Sequence, residues 1–229
     1  MTTTDALPAE IRKAKAPATA RRTQAERVGE SDRRMLDAAT RPIATQGYTA
    51  TTLEAIGSES GYSRQLVTQR FGSKDHLLQA LVARHVDALR ERAKAHGARL
   101  TGLAALYSEV DTYLYAMDSP TVESRAFFVQ MLEAAGPAPQ FRPLFASITA
   151  GWEDRLVDEI RTGQAQGSLR ADVDARTEAR LLIATLRGVR IQSMMDPERS
   201  DVAAALNTLK AALAERLLPR RMPQAQEPL

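Results

Sequence analysis

The sequence contains no cysteine. That removes disulfides, thiolate metal sites and cysteine nucleophiles together, and it allows a reducing compartment. No apolar run approaches the roughly 18–20 residues needed to span a bilayer, and the beginning of the chain lacks the apolar core of a secretory signal. A cytoplasmic protein with no membrane partner is therefore expected. A phosphate-cradling glycine motif and a nucleophile elbow are also missing. His76, His85 and His96 are nine and eleven residues apart, whereas a helical metal pair needs a spacing of three or four. No metal, no cofactor and no catalytic residue is expected, and an all-helical enzyme is the reading these absences argue against.

At 229 residues the chain can form one large unit or two modest domains with a substantial core. Its formal charge of +3 is unevenly placed. The stretch Ile11–Arg34 carries a net +5, which leaves −2 for the rest. A basic stretch of this kind suits nucleic acid or serves as a solubilising tail. Residues 1–30 mix Ala, Thr, Pro, Lys and Arg with few large apolar groups. They read as a mobile basic arm that could reach phosphates, with room for some helix near Thr23–Val28.

The chain is organised around Thr51–Lys74. Leu53 and Ile56 share one face of a short helix that stops at Gly61. A second short segment puts Leu66, Val67 and Phe71 on an apolar face and leaves Arg64, Gln65, Thr68 and Gln69 pointing elsewhere. Helices this short need a third beneath them. The pattern predicts a helix-turn-helix whose second helix enters a DNA major groove. The supporting helix is expected from Ser31 or Asp32 to Gln46, with Leu36, Ala39 and Ile43 inward. Pro42 conflicts with it and predicts either a kink or two pieces. Gly47 ends it, and Tyr48 anchors the following turn.

Thr51 or Thr52 is placed to cap the first motif helix, Ser63 the second, and Ser73 a connector running from Lys74 to about His96. At 1.5 Å per residue that connector is about 35 Å long and rigid. Beyond Gly97 the chain reads as helix throughout, broken at Gly136–Pro139 and again at Gly167–Asp172, where Leu169 turns inward. Glu153, Asp154, Asp158 and Glu159 read as a solvated helix face. The fold class is thus all-α. An N-terminal three-helix helix-turn-helix domain (31–80) precedes a helical ligand-binding and dimerisation domain (81–218), with a loose tail from 219 to 229.

The last two helices carry apolar stripes through Ala179, Leu182, Leu186 and Val189, and through Val202, Leu206, Leu209, Leu213 and Leu217. Both also have apolar residues off the stripe, so each needs more than one neighbour. A four-helix interface between two copies satisfies this; a thick intrachain core is the alternative. Tyr107, Tyr113, Tyr115, Met117, Phe127, Phe128, Met131 and Trp152 are either core or the lining of an apolar cavity, with Gln130, Ser147 or Glu123 supplying polarity. Few buried charges are expected there, which favours a small, mainly apolar effector. A ligand-independent helical DNA-binding or architectural protein is the other function these residues allow.

GYTATTLEAIGSESGYS, followed by RFGSKDHLLQALV, resembles the DNA-binding part of TetR-family transcriptional regulators over roughly Asp32–Val82. GSLRADVDARTEARLL extends the likeness into the C-terminal half. The resemblance implies an all-helical homodimer on double-stranded DNA, often a repressor released from a palindromic operator by a small molecule. It places Thr52 and Lys74 near phosphates and Arg64, Gln65, Thr68 and Gln69 at the groove, with Ser63, at the start of the second motif helix, a further candidate DNA contact. Of the candidate cavity residues, Tyr107, Phe127, Phe128, Met131 and Trp152 are carried forward as ligand contacts. Leu66, Thr68 and Arg70 depart from the family's common recognition-helix pattern, as Pro42 does from its usually uninterrupted first helix.

Overall fold

A computed structural model describes residues 23–97, 100–118 and 121–219, with the side chains of 97 and 114–118 excepted. The candidate residues Tyr115 and Met117 therefore lie outside the described side chains. So do most of the basic arm, from residue 1 to 22, and the tail beyond 219. Every regular element among the described residues is helical. None of these helices is long and apolar enough to cross a membrane.

Helix α1 (Gln24–Ala50) begins earlier than the apolar stripe suggested. Thr23 accepts from the Glu26 amide while the Glu26 carboxylate takes the Thr23 amide, a reciprocal cap that extends the helix through the polar segment before Ser31. Pro42 does not divide the helix. The break lies five residues later at Gly47, which has φ 78° and ψ 178°. That conformation is open essentially to glycine alone. From there Thr51 closes a local turn, its amide donating to the Tyr48 carbonyl and its hydroxyl to that of Gly47.

Helices α2 (Leu53–Ser60) and α3 (Arg64–Phe71) follow, joined through Gly61 in the left-handed region. Helix α4 (Lys74–Gly97) leads out of this unit into α5 (Gly102–Asp118) and α6 (Val122–Ala135). A short 3-10 turn at Pro139–Phe141 precedes α7 (Arg142–Ala165), and α8 (Ala175–Met195) and α9 (Val202–Leu217) follow. The loop before α8 tucks Leu169 inward at 2% exposure, as its sequence implied.

Among the described residues two apolar cores result. The first joins Met35, Ile43, Ile56, Val67, Leu77 and Leu78 to Phe127, Phe128, Phe141 and Phe145. The small N-terminal unit thus shares its interior with α6 and the start of α7. The second core unites α5, α7, α8 and α9 through Leu106, Val110, Leu156, Ile160, Leu182, Leu186 and Leu213. Polar ties cross the same seams. Arg125 donates to the Ala44 carbonyl at 3.0 Å, and the Tyr48 amide donates to Glu133 at 2.8 Å. Arg70 forks onto Asp32 at 2.7 and 2.6 Å, binding α3 to α1.

A Cβ on Gly47 would overlap the Glu133 carboxylate as well as lie in a forbidden backbone region. Gly47→Ala is expected to lower stability by about 2–3 kcal/mol in urea unfolding. A midpoint equal to that of the unmodified protein would contradict this account of the junction.

Candidate DNA-reading surface and effector cavity

Helix α3 is held by its apolar side and leaves its polar side free. Val67 is buried, and Leu66 and Phe71 pack against the first core. Arg64, Gln65, Thr68 and Gln69 are all exposed, so the four candidate reading residues share one open surface. Thr52 and Ser63 cap α2 and α3 by accepting from the Ala55 and Leu66 amides, which fixes both helix starts beside that surface.

Two charged residues behave in ways the sequence did not disclose. Arg64 pairs with Glu54 of α2, both side chains remaining largely exposed. Lys74 is turned inward. Its ammonium donates to the carbonyls of Tyr48 and Thr51 at 3.0 Å each and stands 3.9 Å from the Tyr48 ring centre. Two of its three donors thus brace the turn after Gly47. The Tyr48 hydroxyl meets Asp75 at 2.5 Å, and burial together with that carboxylate raises its pKa to about 12.

A cavity of about 100 Å³ lies between α4, α5, α6, α7 and α8. Phe127, Phe128 and Trp152 line it as expected, and Tyr113 joins them, stacked on Trp152 at 5.5 Å. Tyr107 and Met131 do not line it. Tyr107 braces α5 to α9, donating to the Lys210 carbonyl at 2.8 Å, and Met131 packs into the first core. Of the proposed polar groups, Ser147 and Glu123 are exposed and Gln130 is buried in the adjoining α4–α6 groove.

The expectation of few buried charges needs correction. Arg187 is half-buried on the cavity wall, and Arg190, 2% exposed, lies directly behind it against Ser124 and Phe128. Both interrupt the apolar run of α8, one turn apart, and that interruption was the available signal. Glu153 also departs from the solvated face assigned to it. It is 9% exposed and accepts from Arg176 and Arg180, an arrangement that lowers its pKa, chiefly through the Arg180 hydrogen bond. Among the described residues no group of His, Asp and Glu could hold a metal ion.

Two family models match the chain. One, for the N-terminal domain of the bacterial regulatory proteins of the tetR family, covers residues 35–81. The other, for the C-terminal domain of BetI-type transcriptional repressors, covers residues 104–218, half of the chain. The chain belongs to the TetR family. It is accordingly a sequence-specific DNA-binding transcriptional regulator. A transcriptional regulator from Saccharomonospora viridis in complex with choline is similar at 26% identity and a TM-score of 0.72, over 84% of this chain and 100% of that one. GusR of Salmonella enterica is also 26% identical, with a TM-score of 0.66 over 81% and 94% of the two chains. A TetR regulator of Chloroflexus aurantiacus shares the fold at a TM-score of 0.76 and 20% identity, over 85% and 99%. No curated protein matched the chain.

His85 lies on the cavity wall of this TetR protein with its ring 4.9 Å from that of Phe127. Burial pulls its pKa down to about 4, against about 6.5 in an unfolded chain. Between those values the unfolded state binds a proton that the folded state does not. Stability therefore falls as pH drops through that window, by roughly 3 kcal/mol if the whole shift is realised. Urea unfolding at pH 7 and pH 4.5 should show a smaller acid loss for His85→Gln than for the native protein. Equal losses would show that His85 does not drive the acid sensitivity.

Proposed function

We propose that this TetR protein is a homodimeric repressor, released from a palindromic operator by a small effector seated in the cavity. The observation that carries the reading is the open polar side of α3, mounted on a core that continues into the cavity wall through α4 and α6. Arg64, Gln65, Thr68 and Gln69 read base edges, and Thr52 and Ser63 orient the domain on phosphates. Lys74 holds the adjoining turn and offers its remaining N–H to the backbone. In the free protein Glu54 competes with DNA for Arg64.

Effector control follows as a population shift. The ligand binds the DNA-incompetent arrangement more tightly, since equal affinity for both would change nothing. Helix α4 carries Leu77 and Leu78 in the DNA-reading unit and Val86 and Leu89 at the cavity, so its tilt sets the separation of two recognition helices. A second reading of the ligand takes its cue from the choline complex of the Saccharomonospora regulator. The aromatic side chains Tyr113, Phe127, Phe128 and Trp152 would favour such a quaternary ammonium.

Selection of bound genomic fragments tests the regulator reading, with half-sites expected about 34–36 Å apart. On a selected site Arg64→Ala should weaken binding by about 1–3 kcal/mol and leave random duplex little changed. Glu54→Gln should act in the opposite direction. Equal losses on both duplexes for Arg64→Ala would move that residue from base to phosphate.

Dimerisation rests on the apolar groove between α8 and α9. Leu181 is 43% exposed there, with Val189, Ala205, Leu209 and Ala212 along the same strip. A second copy covers it, because symmetric half-sites call for a two-fold protein. Leu181→Glu is expected to sediment as a folded monomer with weakened operator binding. Persistence of the dimer would relocate the interface.

A further inference from the structure

The cavity wall and the layer directly behind it carry more positive charge than the described residues neutralise. Arg190 donates to Ser124 Oγ at 3.0 Å and stands 5.7 Å from the Phe128 ring centre. Its Nε is buried with no hydrogen-bond partner among the described residues. Arg187, one turn earlier, donates to Thr149 Oγ1 at 2.8 Å and lies 5.8 Å from the Trp152 ring centre.

Three carboxylates of this region are engaged elsewhere, while Glu123 is exposed in the adjoining α4–α6 groove. Glu109 takes the Trp152 indole N–H at 2.7 Å and Arg155 at 3.0 Å. Glu153 takes Arg176 and Arg180, and Asp87 takes Arg90 at 3.3 Å. None of the ion pairs formed among the described residues includes Arg187 or Arg190. The Tyr113 hydroxyl is also buried without a partner, within the field of both guanidiniums. Burial lowers the pKa of each arginine, yet a guanidinium keeps its proton in a folded protein. Two unpaired cations beside an aromatic cavity disfavour a cationic guest and favour an anionic one.

We propose that the effector is a small organic carboxylate, its head bound by Arg187, Arg190 and the Tyr113 hydroxyl, its apolar body lying among Trp152, Phe127 and Phe128. The inference rests on the effector reading of the cavity given above. A guanidinium fork matches the two carboxylate oxygens, and the small cavity volume limits the body to a compact one.

Trp152 is the chain's only tryptophan, so its emission reports on the cavity without a label. The full chain is titrated with three ultraviolet-transparent probes: cyclohexanecarboxylate, cyclohexanecarboxamide and tetramethylammonium. The acid should shift the emission, raise Tm and bind about tenfold or more tighter than the amide, as a charge-assisted contact predicts. Tetramethylammonium should not bind. Arg190→Met and Arg187→Gln should each abolish the preference for acid over amide while far-UV circular dichroism is unchanged; if one variant fails to fold, the other carries the comparison. An amide that binds as tightly as the acid, or a tighter tetramethylammonium, overturns the carboxylate and leaves the effector cavity standing. Silence from all three at millimolar concentration overturns the carboxylate and the effector reading together.

Discussion

The Glu133 carboxylate, lodged against the backbone at Gly47 and Tyr48, is the contact on which the architecture turns. It accepts the Tyr48 amide at 2.8 Å and occupies the space a side chain at position 47 would fill. A hydrogen bond to a charged group contributes about 1.5–3 kcal/mol, enough to fix where α1 ends. Because Glu133 belongs to α6, the end of α1 is defined by the regulatory half of the chain. The turn that follows is then held from the other side by Lys74 on α4. Tyr48 lies between them, edge-on to Phe141 at 5.1 Å. The helix-turn-helix is consequently a continuation of the body.

Charge is arranged on the same lines. Most ion pairs here tie one helix to another: Arg70 to Asp32, Arg155 to Glu109, Lys210 to Asp111 and Arg216 to Glu178. Exposed pairs contribute little to stability, so their value is in choosing which helix faces which. Against that pattern, the two arginines at the cavity stand out. A cation left unpaired in a protein interior weakens the fold, and an arrangement of that kind persists where function requires it.

Helix positions were legible in the sequence because helical period, caps and breaks are local. Leu144, Ile148, Trp152, Leu156 and Ile160 mark α7 without help from neighbours, and Leu169 was readable as an inward plug. Errors arose where a distant partner decides the outcome. Pro42 looked like a kink or division of α1, but the helix runs through it to the expected end at Gly47, whose conformation is set against Glu133 some 86 positions on. The bracing of the turn by Lys74 was hidden because Tyr48 and Thr51 are far from it in the chain. Glu153 looked solvated because Arg176 and Arg180 come from the next helix. Tyr107 and Met131 are aromatic or flexible apolar residues like those of the cavity, but residue type does not say which side of a bundle a helix turns inward.

The shared core also bears on how a ligand event could reach DNA. Moving a two-state equilibrium from one per cent to ninety-nine requires about 5.5 kcal/mol of differential affinity. Shape alone in a cavity of about 100 Å³ supplies little of that. Neutralising a buried guanidinium supplies more, since the effective penalty for an unpaired buried ion is several kcal/mol. It is also directional. Arg190 is bonded to Ser124, and the next residue, Arg125, reaches the Ala44 carbonyl of α1. A guanidinium drawn toward a guest would therefore pull on the start of α6, one residue from its tie to the DNA-reading unit. Packing that is close enough to share one core leaves α1 little freedom to ignore that movement.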